Sequence, residues 1–446
     1  MSHPATAVIL AAGLGTRMNS VLPKALHPIA GRPMLAHLIA SCQTVFSHIV
    51  VVIGPGMDRL AAIAAPHELV VQQERLGTAH AALQAVARFV TGEVAILYAD
   101  NPLIQPETLA ALLASRQRGD AALSLLAMRP PDPARYGRVI EYEGCVARVV
   151  EWADASATER AITLCNAGAL CAAADDMARW LHGVGNDNER GEYYLTDVVG
   201  LANAEKSRVI AIEAPYEELR GINSRAELAA AEAVVQARLR ATAMDAGVTM
   251  TDPTSVFLCA DTILSPDVTI GPNVMFGPGV VVAERAEIRA FSHLEGCIIG
   301  VGAVVGPFAR LRPGAVLGAA AHVGNFVEVK EATLGAGVKA NHLAYLGDAE
   351  IGDGTNIGAG TITCNYDGYD KHRTVIGANV FIGSDTTLVA PVTVGDGAIV
   401  GAGSVITHDV SPDALALARG RQVEKPGRAK ELRAVLAAAK QPRTKI

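Results

Sequence analysis

Ile270-Gly271-Pro272-Asn273-Val274-Met275-Phe276-Gly277-Pro278-Gly279-Val280-Val281-Val282 decides the fold of the second half of the chain. A large apolar residue stands at every sixth position, and the beat continues through Ile288 and Leu294. One residue out of step, it resumes at Ile299, Val305, Leu311, Leu317, Val323 and Val329. Shorter steps at Leu334 and Ile351 carry it past Ala340, Leu346, Ile357 and Thr363. It closes with Ile376, Ile382, Leu388, Val394, Val400 and Ile406, and the next residue is mostly glycine, as at Gly271, Gly277, Gly300, Gly324, Gly383 and Gly401. An amphipathic helix needs a period near 3.6 and a half-buried strand a period of 2, so neither fits. A hexad that is one short strand plus a tight corner does fit, with three hexads to a coil and the apolar residue pointing inward. The repeat therefore predicts a left-handed parallel β-helix of hexapeptide repeats.

Where the beat fails, function is expected. Thr363 and Ile376 lie thirteen positions apart, so the segment from Cys364 to Val375 is predicted to leave the prism as a loop. Its polar and aromatic run from Asn365 to Arg373 suits a working loop on a rigid scaffold.

Upstream, strand and helix patterns alternate: strands at 7–10, 49–52, 93–98 and 121–127, helices at 34–42 and 108–115. This is the rhythm of an α/β domain with a mostly parallel, Rossmann-like sheet covered on both faces. Ligands in such sheets bind outside the carboxyl ends of the strands. The first strand runs into Leu10-Ala11-Ala12-Gly13-Leu14-Gly15-Thr16-Arg17-Met18, followed by Pro23-Lys24. Glycines allow backbone N–H groups to converge on an anion, and Arg17 and Lys24 add fixed charge. Met18 stands where a dinucleotide fingerprint needs its third glycine, and no P-loop occurs; glycines, Arg17 and Pro23-Lys24 at this spacing after an opening strand point to a nucleoside triphosphate. Asp100, just past the strand ending at Tyr98, offers a carboxylate suited to Mg²⁺.

Across the whole 446 residues, half are apolar and the net charge is −7, which gives no reason to expect nucleic-acid binding. Seven scattered cysteines without a C-x-x-C pair suggest neither a disulfide framework nor a zinc site. No apolar run approaches the ~20 residues of a membrane span. The N-terminus lacks the basic region of a secretory signal, so a cytoplasmic protein is expected. Only the tail after Gln422 is locally basic, with Lys425, Arg428, Lys430, Arg433, Lys440, Arg443 and Lys445.

The Leu10–Met18 motif with Pro23-Lys24 resembles the signature of sugar-1-phosphate nucleotidyltransferases. Joined to a hexapeptide β-helix, it resembles the bacterial bifunctional N-acetylglucosamine-1-phosphate uridylyltransferase / glucosamine-1-phosphate N-acetyltransferase family, most specifically at 72–78, 191–197, 306–329 and 340–371. For the first site, the resemblance implies that Leu10, Ala11, Ala12 and Gly13 hold UTP, with Arg17 and Lys24 on its phosphates. Gln72, Gly77 and Thr78 would read the base and ribose, Gly137, Glu151 and Asn166 the sugar, and Asp100 and Asn223 would hold Mg²⁺. For the second site it implies His342 as general base, oriented or polarised by Glu328. Arg312, Lys330, Tyr345, Asn356 and Lys371 would surround glucosamine 1-phosphate. Ala359, Asn365, Tyr366, Ser384, Ala402 and Arg419 would line the acetyl-CoA channel.

Some positions depart from the family pattern as we read it: Ala99, Arg75, Asn341 and the run Ala418-Arg419-Gly420-Arg421. None removes a catalytic group. The expected division is 1–224 for uridylyl transfer, 225–247 as a helical linker, 248–420 for the acetyltransferase β-helix and 421–446 for the basic tail. The resemblance further implies a homotrimer assembled through the β-helix. Two other readings have less behind them. A β-helix that only regulates or oligomerises has no use for His342, Lys330 and the 364–375 loop, and a non-catalytic assembly protein has none for intact Arg17, Lys24, Asp100 and His342.

Overall fold

A computed structural model describes residues 4–119 and 121–440, and the chain forms two compact units. The first runs to Asp245 and takes in Phe257–Asp261; the second holds Ala246–Val256 and the chain from Thr262 onward. Arg443 and Lys445 of the basic tail lie outside the described residues.

The first unit is built on nine strands: β1 (Ala5–Leu10), β2 (His48–Ile53), β3 (Glu68–Val71), β4 (Glu93–Tyr98), β5 (Leu123–Met128), β6 (Arg138–Tyr142), β7 (Cys145–Val150), β8 (Cys165–Ala173) and β9 (Val209–Glu213). The main path through the sheet is β9-β5-β8-β4-β1-β2-β3. Strand alternation sorts side chains between two cores. Ile9, Val51 and Leu97 pack with Leu35, Leu60 and Leu109, whereas Val8, Val50 and Ile96 pack with Ala82, Trp180 and Val198. Helices thus cover both faces, and the central strands read as continuous apolar runs for that reason. The sheet is mixed, with one strand reversed in its middle. β8 runs antiparallel between β4 and β5, pairing Leu170 with Ile96 and Ala173 with Glu93. Its beginning, at Asn166, therefore lies at the edge where the parallel strands end. β6 and β7 form an antiparallel hairpin beside it.

The helix expected over 226–243 spans Arg225–Asp245 and groups with the first unit. Ala231 and Val235 bury against Ile29, Met34, Leu103 and Ile222. Polar contacts help hold it: Glu232 Oε2 accepts from the Ala30 amide at 2.7 Å, and Arg238 Nη1 donates to the Leu103 carbonyl at 3.0 Å. No helix among the described residues is long and apolar enough to cross a membrane.

The second unit is the left-handed parallel β-helix that the hexads predict. One face is a ten-stranded parallel sheet from Thr249–Met250 to Leu415–Ala416. The other two faces merge where Glu328–Leu334 and Tyr345–Ile351 run through a corner as single strands. Every inward residue of the repeat, from Ile270 to Ile406, is at most 4% exposed, so one continuous apolar column fills the prism. The interrupting loop is shorter than expected. Its flanks remain strand as far as Cys364 and from Thr374, because Cys364 pairs with Val389 and Thr374 with Val392. Only 365–373 leave the prism.

Candidate active sites

β1 ends at Leu10, and the Ala11 N–H donates to the Val52 carbonyl at 2.8 Å before the chain turns back. At Gly15 the backbone is left-handed (φ 68°), and a Cβ there would stand 2.4 Å from Lys24 Cβ. Only glycine lets Lys24 pass so close beneath the loop. The result is a cavity of about 340 Å³ lined by Leu10, Ala11, Ala12, Gly13, Arg17, Lys24, Gln72, Gly77, Thr78, Asp100 and Asn223. All of these are sequence-expected residues.

Charge is concentrated at one point in this cavity. Lys24 Nζ makes an ion pair with Asp100 Oδ2 and donates to Asn223 Oδ1 at 3.0 Å, while Arg17 Nη2 donates to the same amide oxygen at 2.9 Å. Asn223 is held by the start of the long helix, whose Glu227 carboxylate accepts from the Asn223 amide at 2.6 Å. Ser224 caps the same turn by accepting from the Glu227 amide at 3.2 Å. A carboxylate and an amide oxygen thus converge on a single cation, the ammonium, and this all-oxygen pair fits a hard divalent ion with few protein ligands.

The remaining three expected sugar contacts lie together in the same unit. Asn166 donates its amide to Gly137 O at 2.8 Å, and the position of a Gly137 Cβ is 3.5 Å from Glu151 Oε2. Thr196 Oγ1 donates to Glu151 Oε1 at 3.3 Å. Burial raises the Glu151 carboxyl above its ordinary value, partly offset by that hydrogen bond. Arg75 and Tyr98 belong to the cavity as well. Arg75 Nε donates to Ala12 O at 2.8 Å, clamping the glycine loop. Sequence reasoning noted Arg75 only as a departure; its cation two residues ahead of Gly77 was the available signal.

On the β-helix, Glu328 and Lys330 share one strand and Arg312 stands one coil before them, with Glu328 paired in register to Arg310 and Tyr345. Arg312 Nη1 meets Glu328 Oε1 at 2.8 Å. Lys330 and Lys371 face one another, and the second ammonium depresses the pKa of Lys330. Two cations held this close call for an anion. The loop that carries Lys371 is pinned by Asp367, which accepts from the Tyr369 and Asp370 amides at 2.8 Å each and from His372 Nε2 at 2.7 Å. Asn365 bonds Asp348 and lies 3.4 Å from the Tyr345 hydroxyl. Asn356 stands apart, in the ten-stranded face between Lys339 and Phe381.

The His342 ring differs from the sequence expectation. Its Nδ1 bonds Asn325 Oδ1 at 2.8 Å, while Glu328 is turned to Arg312. Asn325 sits one coil below His342 in the same column, paired in register. Ala359, Ser384 and Ala402 continue that column above the histidine, as the Gly360–Leu343, Asp385–Ala359 and Gly403–Ser384 backbone bonds of 3.1, 2.7 and 2.8 Å show. Arg419 Nη1 caps it by donating to Ala402 O at 2.8 Å. Beside the column, Phe291, Phe308, Phe326 and Leu343 make an exposed apolar ladder, with ring centroids 4.9 and 5.3 Å apart. Above Leu343 the ladder gives way to Gly360, Asp385 and Gly403, leaving a slim corner.

Two family models match the chain: the MobA-like NTP transferase domain over residues 7–163 and the bacterial transferase hexapeptide (six repeats) over 373–408. The bifunctional protein GlmU of Acidiphilium cryptum is 66% identical over 96% of this chain and 98% of that protein. Its counterpart in Granulibacter bethesdensis is 68% identical over 96% of each chain, and that of Gluconacetobacter diazotrophicus 64% over 97% and 95%. The chain belongs to the GlmU family. It is thus a bifunctional enzyme, a uridylyltransferase and an acetyltransferase, as its motifs imply. For a GlmU-family chain the two halves read differently. The N-terminal cavity assembles from the expected residues within one unit, whereas the β-helix brings Arg312, Lys330, Tyr345 and Lys371 together and leaves Asn356 on another face. Asn325 is the residue that sequence reasoning missed; the signal was its place seventeen positions before His342, one coil back.

Proposed function

We propose that this chain acetylates glucosamine 1-phosphate with acetyl-CoA on its β-helix and then joins the product to UTP in its N-terminal domain, releasing pyrophosphate. The two activities would divide between residues 1–224 and 248–420. A cytoplasmic location and a place in supplying cell-envelope precursors belong to the same reading.

In the first site the observation that carries the assignment is the convergence of Lys24, Asp100 and Asn223 beside the glycine loop. Asp100 and Asn223 would hold Mg²⁺, which when bound neutralises triphosphate charge. Arg17 and Lys24 stabilise charge building on the phosphates, and Gln72, Gly77 and Thr78 bind the nucleoside. Gly137, Glu151 and Asn166 orient the sugar phosphate for in-line attack on the α-phosphorus, and no covalent intermediate is needed. In the second site Arg312, Lys330 and Lys371 bind the phosphate of the acceptor. His342 removes the amine proton as the nitrogen bonds to the thioester carbonyl carbon. The C–S bond then breaks, and the leaving thiolate takes the proton back from the imidazolium. The slim column of Ala359, Ser384 and Ala402, ending at Arg419, leads acetyl-CoA to the histidine. A homotrimer is supported by the exposed Phe291–Phe308–Phe326–Leu343 ladder, an apolar edge a second copy would cover.

The decisive experiment exchanges the two activities. Asp100→Ala is expected to lose UDP-sugar formation and keep acetyl transfer, and His342→Ala to do the reverse. Acetyl transfer undiminished in His342→Ala would overturn the second-site assignment. Uridylyl transfer persisting in excess chelator would overturn the Asp100–Asn223 metal site.

A further inference from the structure

A histidine acts as a base only through a ring nitrogen that carries a lone pair, so its tautomer must be fixed by whatever bonds the other nitrogen. In this chain that partner is neither carboxylate nor backbone. The Asn325 side-chain oxygen lies 2.8 Å from His342 Nδ1. A carbonyl oxygen can only accept, so the proton of the neutral ring sits on Nδ1 and the lone pair on Nε2. The contact is built into the repeat. Asn325 and His342 are register partners on adjacent coils. The residue before the asparagine, Gly324, is fully buried, and a Cβ there would stand 2.0 Å from Asn341 O. Glycine lets the two coils close, and closing them sets the amide directly beneath the ring. The carboxylate three residues after Asn325, Glu328, is committed to Arg312 at 2.8 Å.

We propose that Asn325 is the positioning residue of the acetyl-transfer reaction, holding His342 as the Nδ1–H tautomer with Nε2 free to take the amine proton. The inference rests on His342 being the base. An amide suits the task because it accepts the Nδ1 proton from the neutral ring and from the imidazolium alike. Being uncharged, it orients the ring without setting a negative charge against it. A carboxylate in its place would favour the imidazolium and hold the base protonated to higher pH.

The test measures acetyl transfer from acetyl-CoA to glucosamine 1-phosphate by the full chain across pH, in Asn325→Leu, Asn325→Asp and His342→Ala. Asn325→Leu should lower kcat by about ten- to a hundredfold, the usual cost of losing a group that orients a working histidine, with KM for the acceptor little changed. Asn325→Asp keeps the acceptor oxygen, so it should recover most of kcat while moving the acidic limb of the pH profile upward. That pair of results is one that a merely structural role would not give. With His342→Ala inactive, a wild-type kcat and pH profile in Asn325→Leu would overturn the inference. So would an Asn325→Asp enzyme as slow as Asn325→Leu with an unmoved limb. Full activity in His342→Ala would instead remove the base itself, and with it the reading on which Asn325 depends. Uridylyl transfer and the melting transition of each preparation report whether the fold survived.

Discussion

Lys24 binds Asp100 and Asn223 with one ammonium, so on the proposed reading it both serves the phosphates and competes with the metal for the two oxygen ligands. Lys24→Ala is expected to lower uridylyl-transfer kcat by about a hundredfold or more. The same change should lower the Mg²⁺ concentration for half-maximal activity, since the competing cation is gone; a metal titration of the residual activity reads both. Glu151 offers a pH-dependent case. Burial raises its folded-state pKa, so the folded chain holds the proton more tightly than the unfolded one. Its favourable contribution is complete below the ordinary carboxylate range and is lost as pH rises through the raised value. Glu151→Gln should therefore gain melting temperature over the wild type at neutral pH but not in acid, while weakening sugar binding. At this scale Arg17, Lys24 and Asp100 were legible because fixed charge beside a glycine turn or at a strand's carboxyl edge has few other uses. Arg75 and Asn325 were not, because each acts on a residue distant in sequence: Arg75 on Ala12 O, and Asn325 on a ring one coil away.

Among the elements, the coil is the clearest unit. Leu346 is fully buried between Val329 and its neighbours, and Leu346→Ala should destabilise the β-helix by about 2–5 kcal/mol, measured by denaturant unfolding. The 365–373 loop is a different kind of element, held by hydrogen bonds to one carboxylate and by little apolar burial. Asp367→Ala should release it, raise KM for glucosamine 1-phosphate through loss of the Lys371 position, and expose the loop to limited proteolysis. Unchanged KM and unchanged cleavage would separate Lys371 from the acceptor. The six-residue beat made every inward position from Ile270 to Ile406 readable, because each coil meets the same neighbours as the last. The reversal of β8 was not readable. A strand's direction depends on which partners it finds, and Cys165–Ala173 is as apolar running one way as the other.

For the whole molecule, the Phe291–Phe308–Phe326–Leu343 ladder sets the expectation. Phe308 is 46% exposed while stacked between two other rings, an arrangement that covers little apolar surface in a lone chain. Phe308→Asp is expected to dissociate the proposed trimer and abolish acetyl transfer while leaving uridylyl transfer intact. Sedimentation velocity and the two activity assays check this, and a trimer that survives the substitution would place the contact elsewhere. The division into an α/β half and a repeat half was visible in the sequence because two incompatible periodicities do not overlap. The grouping of Arg225–Asp245 with the first unit was not, because an Ala- and Glu-rich helix gives no sign of which surface will receive Ala231 and Val235.

The repeat also bears on how such a chain can change over generations. Ile270 pairs with Ile288, and each turn of the prism there meets only the turns beside it. Duplicating the segment between them would lengthen the prism by about 4.8 Å and leave Asn325, His342 and Lys371 in register. Losing a single hexad from the same stretch would instead rotate everything downstream by a third of a revolution against everything upstream. Inherited length variation in this half should therefore come in whole turns, or as outgrowths from a corner, and the 365–373 segment is an outgrowth of that second kind.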